Sequence, residues 1–237
     1  MPKIALIGAG STVFAKRLIG DILLTSDLAN NVQFALHDID TERLRTSEIV
    51  TNRIVEKLGL KTHVFASKDR REILKGADYV IFMMQVGGYK PSTIIDFEIP
   101  KKYGLRQTIA DTIGVGGIFR VLRTYPVMLE FAREMEKVCP DAWLLNYTNP
   151  MCALTGGILR QTSIKAVGLC HSVQACASTL LRNMEMLDEV ENLQWKIAGI
   201  NHMAWLLEIT DGGKDLYPEI KKRARQKLLS WRKGPEK

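Results

Sequence analysis

Apolar residues along the chain fall into short runs separated by amphipathic stretches of helical period, an alternation that predicts strands and helices in turn. The first run, 4–7, leads into Gly8-x-Gly10 and then into a segment with apolar positions Val13, Leu18 and Ile22. The second, 32–36, ends in His37-Asp38. Thr41 is then placed to cap a helix over 42–58, closed by Gly59, whose apolar stripe is Leu44, Ile49, Ile54 and Leu58. A strand at 62–66, a short helix at 71–75 and a buried strand at 79–83 follow, the last ending in a loop at 84–89. Beyond it the pattern predicts a long helix over 118–138 (Leu122, Tyr125, Leu129, Ala132, Met135), a strand at 142–145, a helix at 151–160 and a strand at 164–169.

Six strands alternating with helices before residue 170 make a doubly wound, Rossmann-like, mostly parallel sheet, and a nucleotide-binding domain is expected over 1–170. The remainder, 171–237, reads as a helix at 173–186, strands at 195–200 and 205–210, a turn at Asp211-Gly212-Gly213 and a charged helix, the start of an incomplete α+β catalytic domain.

Composition narrows the classes. The four cysteines, Cys139, Cys152, Cys170 and Cys176, form no C-x-x-C pair, and Lys3 is followed by only four apolar residues before the glycine turn, so a reduced, cytoplasmic protein is expected. No apolar run approaches the length of a membrane span. The net charge of +7 is concentrated in the stretch Lys221-Lys222-Arg223-Ala224-Arg225-Gln226-Lys227, the pattern of a solvated helix face. Nucleic-acid binding would want stacking aromatics among those bases, and only Trp231 is near, so neither nucleic acid nor membrane is an expected partner.

The first candidate chemistry is at Gly8, Gly10, Ser11 and Thr12. Glycines after a strand let the backbone turn sharply and approach a pyrophosphate, whose charge meets N–H groups at the helix start. The position of a third glycine is Val13, which weakens the motif. Asp38, at the end of the second strand, strengthens it, since an acid there accepts hydrogen bonds from an adenosine ribose and favours NAD over NADP. Ligands of open parallel sheets sit off the carboxyl ends of strands, so Gln85 and Gly87 are expected beside the nicotinamide half. Asn146, in Asn146-Tyr147-Thr148-Asn149-Pro150, is a further expected cofactor contact. The two asparagines offer uncharged donors and acceptors suited to hydroxyl recognition, while Asn149 could equally cap the helix that follows.

Cys170 and His202 both stand at ends of apolar runs. Thiolate and imidazole are good divalent-metal ligands, and a two-residue site leaves positions open for substrate and water, although a buried structural cysteine and a core histidine fit the spacing as well. A single carboxylate, Asp111, lies in a segment with three glycines between helical patterns, a loop that either covers a site or simply connects.

Four segments, Gly8-Ala9-Gly10-Ser11, Asn146-Tyr147-Thr148-Asn149-Pro150, Gly168-Leu169-Cys170-His171-Ser172-Val173-Gln174 and Gly199-Ile200-Asn201-His202-Met203-Ala204-Trp205, in this order and spacing resemble glycoside hydrolase family 4, and most of all its α-galactosidase (melibiase) branch. The resemblance implies a glycosidase that uses NAD and a divalent metal, usually manganese, on a small α-glycoside. By that matching, Cys170 and His202 are the metal ligands, Asn149 touches substrate, and His171 stands where α-specific members carry the general acid, a place some phospho-α-glucosidases fill with aspartate. The implied chemistry is hydride transfer from sugar C3 to NAD, removal of the acidified C2 proton by a base, departure of the C1 group, addition of water and return of hydride, with no net redox change. Softness rules alone would favour zinc or iron at a Cys/His pair, so manganese comes from the resemblance.

Family chains are roughly twice as long, and their tyrosine base lies beyond residue 237. Tyr217 does not match that motif. The chain is therefore expected to be an N-terminal part whose full-length form is a homo-oligomer. Asp111 is the first substitute candidate for the base. The rival readings are a lactate/malate-type NAD-dependent dehydrogenase, which has no need of a Cys/His pair, and a non-catalytic NAD-binding fragment.

Overall fold

The computed structural model describes residues 1–107 and 112–233. These divide into two compact units, Met1–Leu169 and Cys170–Lys237.

In the first unit, six parallel strands, β1 (Lys3–Ile7), β2 (Gln33–His37), β3 (His63–Ala66), β4 (Tyr79–Phe82), β5 (Trp143–Asn146) and β6 (Lys165–Gly168), lie in the order β3-β2-β1-β4-β5-β6. The order reverses between β1 and β4, and loops leaving these two strands open a crevice at their carboxyl ends. The helices α1 (Thr12–Leu24), α2 (Thr41–Lys57), α3 (Arg70–Leu74), α4 (Ile94–Lys102), α5 (Val115–Val138) and α6 (Met151–Gln161) make the crossovers.

Both faces of the sheet are covered, and β1 shows how. Ile4 and Leu6 enter one core with Ala15, Ile19, Phe34 and Leu36, whereas Ala5 and Ile7 enter the other with Val80, Phe82, Met128, Phe131 and Leu144. A strand buried on both sides needs apolar residues at every position, which is why these runs are continuous and do not alternate. Lys3 is the exception. Its ammonium donates to Lys75 O at 2.8 Å and Glu72 O at 3.3 Å, tying the start of β1 to the end of α3, and burial lowers its pKa.

Some expected boundaries and faces shift. Asp40 caps α2, its Oδ1 accepting from Glu42 N and Arg43 N at 3.0 and 3.1 Å, and Thr41 is the first helical residue. The buried stripe of α2 is Leu44, Ser47, Thr51 and Val55, while Ile49 and Leu58 are exposed. Polar Ser47 and Thr51 sit inside because their hydroxyls donate to Ala9 O and Ser47 O, both at 2.7 Å. The helix expected from 118 begins at Val115; it buries Gly116, Gly117, Thr124, Met128, Phe131, Ala132 and Met135 and turns Leu122 to solvent. A kinked turn, Gly88–Thr93, with Lys90 extended at φ -107 and ψ 130, replaces the end of the expected loop and runs into α4.

The second unit holds α7 (His171–Asn183), the antiparallel pair β7 (Leu193–Ile200) and β8 (Met203–Asp211), a short third strand β9 (Lys214–Asp215) and α8 (Tyr217–Lys233). Its core gathers Ala177, Leu181, Met186, Ile209, Leu216 and Ile220. No helix among the described residues is long and apolar enough to cross a membrane.

Candidate active site

The turn after β1 is built from the backbone. Gly8 N and Ala9 N both donate to His37 O at 2.9 Å, so the glycine turn hangs from the end of β2. Gly8 has φ +89, and a Cβ there would lie 2.9 Å from Met84 Cα, so only glycine lets the turn pass this close to the chain leaving β4. Gly10 N donates to Asp38 Oδ2 at 2.8 Å, and Asp38 Oδ1 accepts from Asp40 N at 2.9 Å. Ser11 makes no side-chain cap on α1, which leaves first-turn N–H groups available to an anion.

Around this turn lies a cleft of about 1140 Å³, entirely within the first unit. Gly8, Gly10, Ser11, Asp38, Gln85, Gly87 and Asn149 line it. The walls are interlocked: Met84 N donates to Thr148 Oγ1 at 3.1 Å, and Gln85 Nε2 donates to Thr93 Oγ1 at 2.9 Å. Burial lowers the pKa of His37, whose Nδ1 lies 3.1 Å from Ser67 O, and raises that of Tyr147, so both cleft residues are held in their neutral forms.

Two expected cofactor residues stand back from the cleft. Asn146 is fully buried; its Oδ1 accepts from Thr148 N at 2.8 Å, and its Nδ2 donates to Thr148 O at 3.2 Å and Thr155 Oγ1 at 3.0 Å. Its amide shapes the 146–149 turn and is withdrawn from ligand. Thr12 directs its hydroxyl to Gly10 O and Ser47 Oγ at 3.4 and 3.2 Å, bracing the turn from behind. Asn149 lines the cleft, and its Oδ1 accepts from Met151 N at 3.3 Å, although the N-cap of α6 is Pro150 and not the expected Asn149.

In the second unit, Cys170 and His202 come together. Cys170 is the N-cap of α7, its sulfur accepting from Ser172 N at 3.4 Å, and His202 sits in the two-residue turn between β7 and β8 with φ +61. Cys170 Sγ and His202 Nε2 are 3.3 Å apart. One ion bound by sulfur at about 2.3 Å and by nitrogen at about 2.0 Å, at an angle near that of tetrahedral or octahedral neighbours, would space the donors roughly 3–3.6 Å. The 3.3 Å spacing of the pair fits a shared metal. Next in chain, Asn201 Oδ1 is buried without a hydrogen-bond partner among the described residues. No group of three or more His, Cys, Asp or Glu side chains is placed to hold an ion among the described residues.

His171 opens α7 and is exposed. Asp111 lies outside the described residues. Tyr217 is committed elsewhere, packing on the second unit's core with its hydroxyl donated to Leu206 O. Behind the cleft, Arg123 and Asp96 form an ion pair at 2.6 Å that no local sequence pattern marks.

The sequence profile of family 4 glycosyl hydrolases matches residues 3–186, and that of the family's C-terminal domain matches residues 197–236. An α-galactosidase of Bacillus subtilis (strain 168) is 57% identical over 96% of this chain and 52% of its own length. A 6-phospho-α-glucosidase from gut microorganisms, solved in complex with NAD and Mn2+, superposes with a TM-score of 0.83 at 25% identity, covering 95% of this chain and 51% of that one. The 6-phospho-β-glucosidase of Thermotoga maritima, solved with manganese, NAD+ and glucose-6-phosphate, gives a TM-score of 0.81 at 26% identity, covering 96% and 53%. The chain thus spans about half the length of these relatives. With the profile running from the first strand through the Cys170 helix, the chain belongs to the family 4 glycosyl hydrolases.

Proposed function

We propose that this chain carries the cofactor and metal sites of an NAD- and manganese-dependent α-galactosidase, whose substrate is a small α-galactoside. The observation that carries this reading is the 3.3 Å approach of Cys170 Sγ to His202 Nε2 in a member of family 4. A dehydrogenase of the lactate/malate type has no use for it.

NAD supplies reversible hydride removal at a sugar carbon, and the divalent ion supplies Lewis acidity at the neighbouring oxygens. The residues divide the remaining work. The N–H groups after Gly10 receive the pyrophosphate, and Asp38 accepts from the adenosine ribose. Gln85 and Gly87 wall the nicotinamide end, and Asn149 offers its amide to a sugar hydroxyl. Cys170 and His202 hold the ion, and His171, beside Cys170 in sequence, gives a proton to the leaving oxygen. The NAD-binding residues belong to the first unit, Met1–Leu169, and Cys170 and His202 to the second, Cys170–Lys237.

Calorimetric titration with NAD and with manganese tests the binding half of the proposal. Nitrophenyl α-galactoside turnover tests the rest, on this chain alone and on this chain extended by the C-terminal half of the Bacillus subtilis relative. The expected result is NAD binding by both, with turnover near background for the first and restored in the second. General-base catalysis typically contributes ~10²–10⁴-fold, so the two should differ by at least that much. Net NADH formation on hydroxy acids would favour the dehydrogenase instead.

A further inference from the structure

Besides the contacts of Met84 and Gln85, the loop that walls the cleft is held by an arginine of α5. Arg123, on α5, donates Nε–H to Val86 O at 3.0 Å, and turns its other two nitrogens onto Asp96 of α4, Nη1 to Oδ1 at 3.1 Å and Nη2 to Oδ2 at 2.6 Å. Asp96 is 3% exposed. Gly87, next to the held carbonyl, has φ +82, and a Cβ there would meet Ser92 Oγ at 2.1 Å and Arg123 Cδ at 3.1 Å, so the loop passes directly over the arginine. The brace continues past the ion pair: Gln107 Nε2 donates to Asp96 O at 3.4 Å, and Gln107 Oε1 accepts from Gly116 N at 3.2 Å near the start of α5.

A buried ion pair gives little net stability, because desolvation offsets most of the attraction. An apolar pair would fill the same space at less cost. What an apolar pair lacks is a donor for Val86 O. Arg123 alone can satisfy Asp96 with a planar fork and still aim a third N–H at the loop. We propose that Arg123, neutralised by Asp96, is a positioning residue that fixes the cleft wall at Gln85, Val86 and Gly87, and through that wall sets cofactor affinity. The consequence for affinity rests on the NAD reading above; the fixing of the wall does not.

Two variants of the 237-residue chain test it. Arg123→Lys keeps a positive charge beside Asp96 but cannot reach both partners. The double variant Arg123→Met/Asp96→Leu removes both charges together. NAD affinity by calorimetry, thermal midpoint, and hydrogen exchange of the 85–89 amides are read for each. Loss of one charge-assisted hydrogen bond predicts NAD affinity down roughly 10-fold in Arg123→Lys, with faster exchange confined to 85–89. The double variant should regain the parent's midpoint and still bind NAD weakly. Recovery of affinity together with stability would reduce the pair to a stability element and overturn the proposal, as would parental affinity and exchange in Arg123→Lys. Should the parent itself fail to bind NAD, the functional reading falls and exchange alone decides the clamp: unchanged protection at 85–89 in Arg123→Lys refutes it, and selective loss upholds it.

Discussion

Gly10 and Asp38 are locked together: the backbone N–H of one reaches the carboxylate of the other at 2.8 Å, and a Cβ on Gly10 would fall 2.5 Å from that same oxygen. The aspartate therefore shapes the glycine turn as well as facing the cleft. Gly10→Ala must push Asp38 aside and break the bond. Overpacking of this kind costs about 1–3 kcal/mol, and the turn's N–H groups lose their aim. The expected outcome is a lower urea midpoint and NAD affinity reduced at least about tenfold, read by chemical denaturation and calorimetry. Unchanged affinity would detach this turn from cofactor binding.

Cofactor choice follows from the same carboxylate. A 2′-phosphate would meet the negative charge of Asp38, so NAD should bind more tightly than NADP. Competitive titration of the two nucleotides decides this, and equal or tighter NADP binding contradicts it.

For the metal pair, Cys170→Ser should weaken manganese binding more than Cys139→Ser, Cys152→Ser or Cys176→Ser. Cys170 stands 3.3 Å from a histidine nitrogen, and burial pushes the Cys139 thiol up to about 11, away from the thiolate form that ligates. Metal content of the four purified variants is the measurement; four equal values would return Cys170 to a capping role.

The two candidate caps of α2 can be separated by substitution. Asp40→Ala should cost about 1 kcal/mol, since two N–H groups lose their acceptor, whereas Thr41→Ala, already inside the helix, should cost only a few tenths. Denaturant midpoints rank them, and the reverse order would restore Thr41 as the cap.

His37 gives stability a pH dependence of known sign. Burial holds its folded-state pKa below the ordinary value near 6.5, despite the hydrogen bond to Ser67. As pH falls through about 6.5 the unfolded chain takes up the proton first, so stability is complete above that value and declines below it, levelling off once the folded group also titrates. Between pH 7 and 5 the parent should lose more stability than His37→Asn, by urea titration at each pH. Parallel losses would assign the acid sensitivity to other groups.

The strands and their order of appearance were legible because runs such as Ile4 to Ile7 are apolar at every position, which only a sheet covered on both faces requires. Helix faces were less legible. Counting apolar letters on α2 missed Ser47 and Thr51, whose hydroxyls are satisfied by backbone carbonyls and can therefore be buried. Asn146 was read as an open amide because its three partners, Thr148 N, Thr148 O and Thr155 Oγ1, exist only once the turn has closed. Arg123 and Asp96 lie 27 positions apart, and no local pattern announces such a pair. Cys170 and His202, 32 apart, were found only as separate strand-end residues and through a family resemblance.

The backbone at residue 202 restricts evolution and engineering in a way the proposed ligand role alone would not. A left-handed φ of +61 in a two-residue turn leaves glycine, asparagine, aspartate and histidine as the comfortable alphabet. The proposed metal role narrows that set to histidine and aspartate, whose imidazole and carboxylate both suit a divalent ion. Cysteine and glutamate, acceptable as ligands elsewhere, would each strain the turn, so bringing either in means redesigning the hairpin: a library varying only position 202 should return histidine or aspartate, while one that also varies Gly199 and Asn201 can find other solutions.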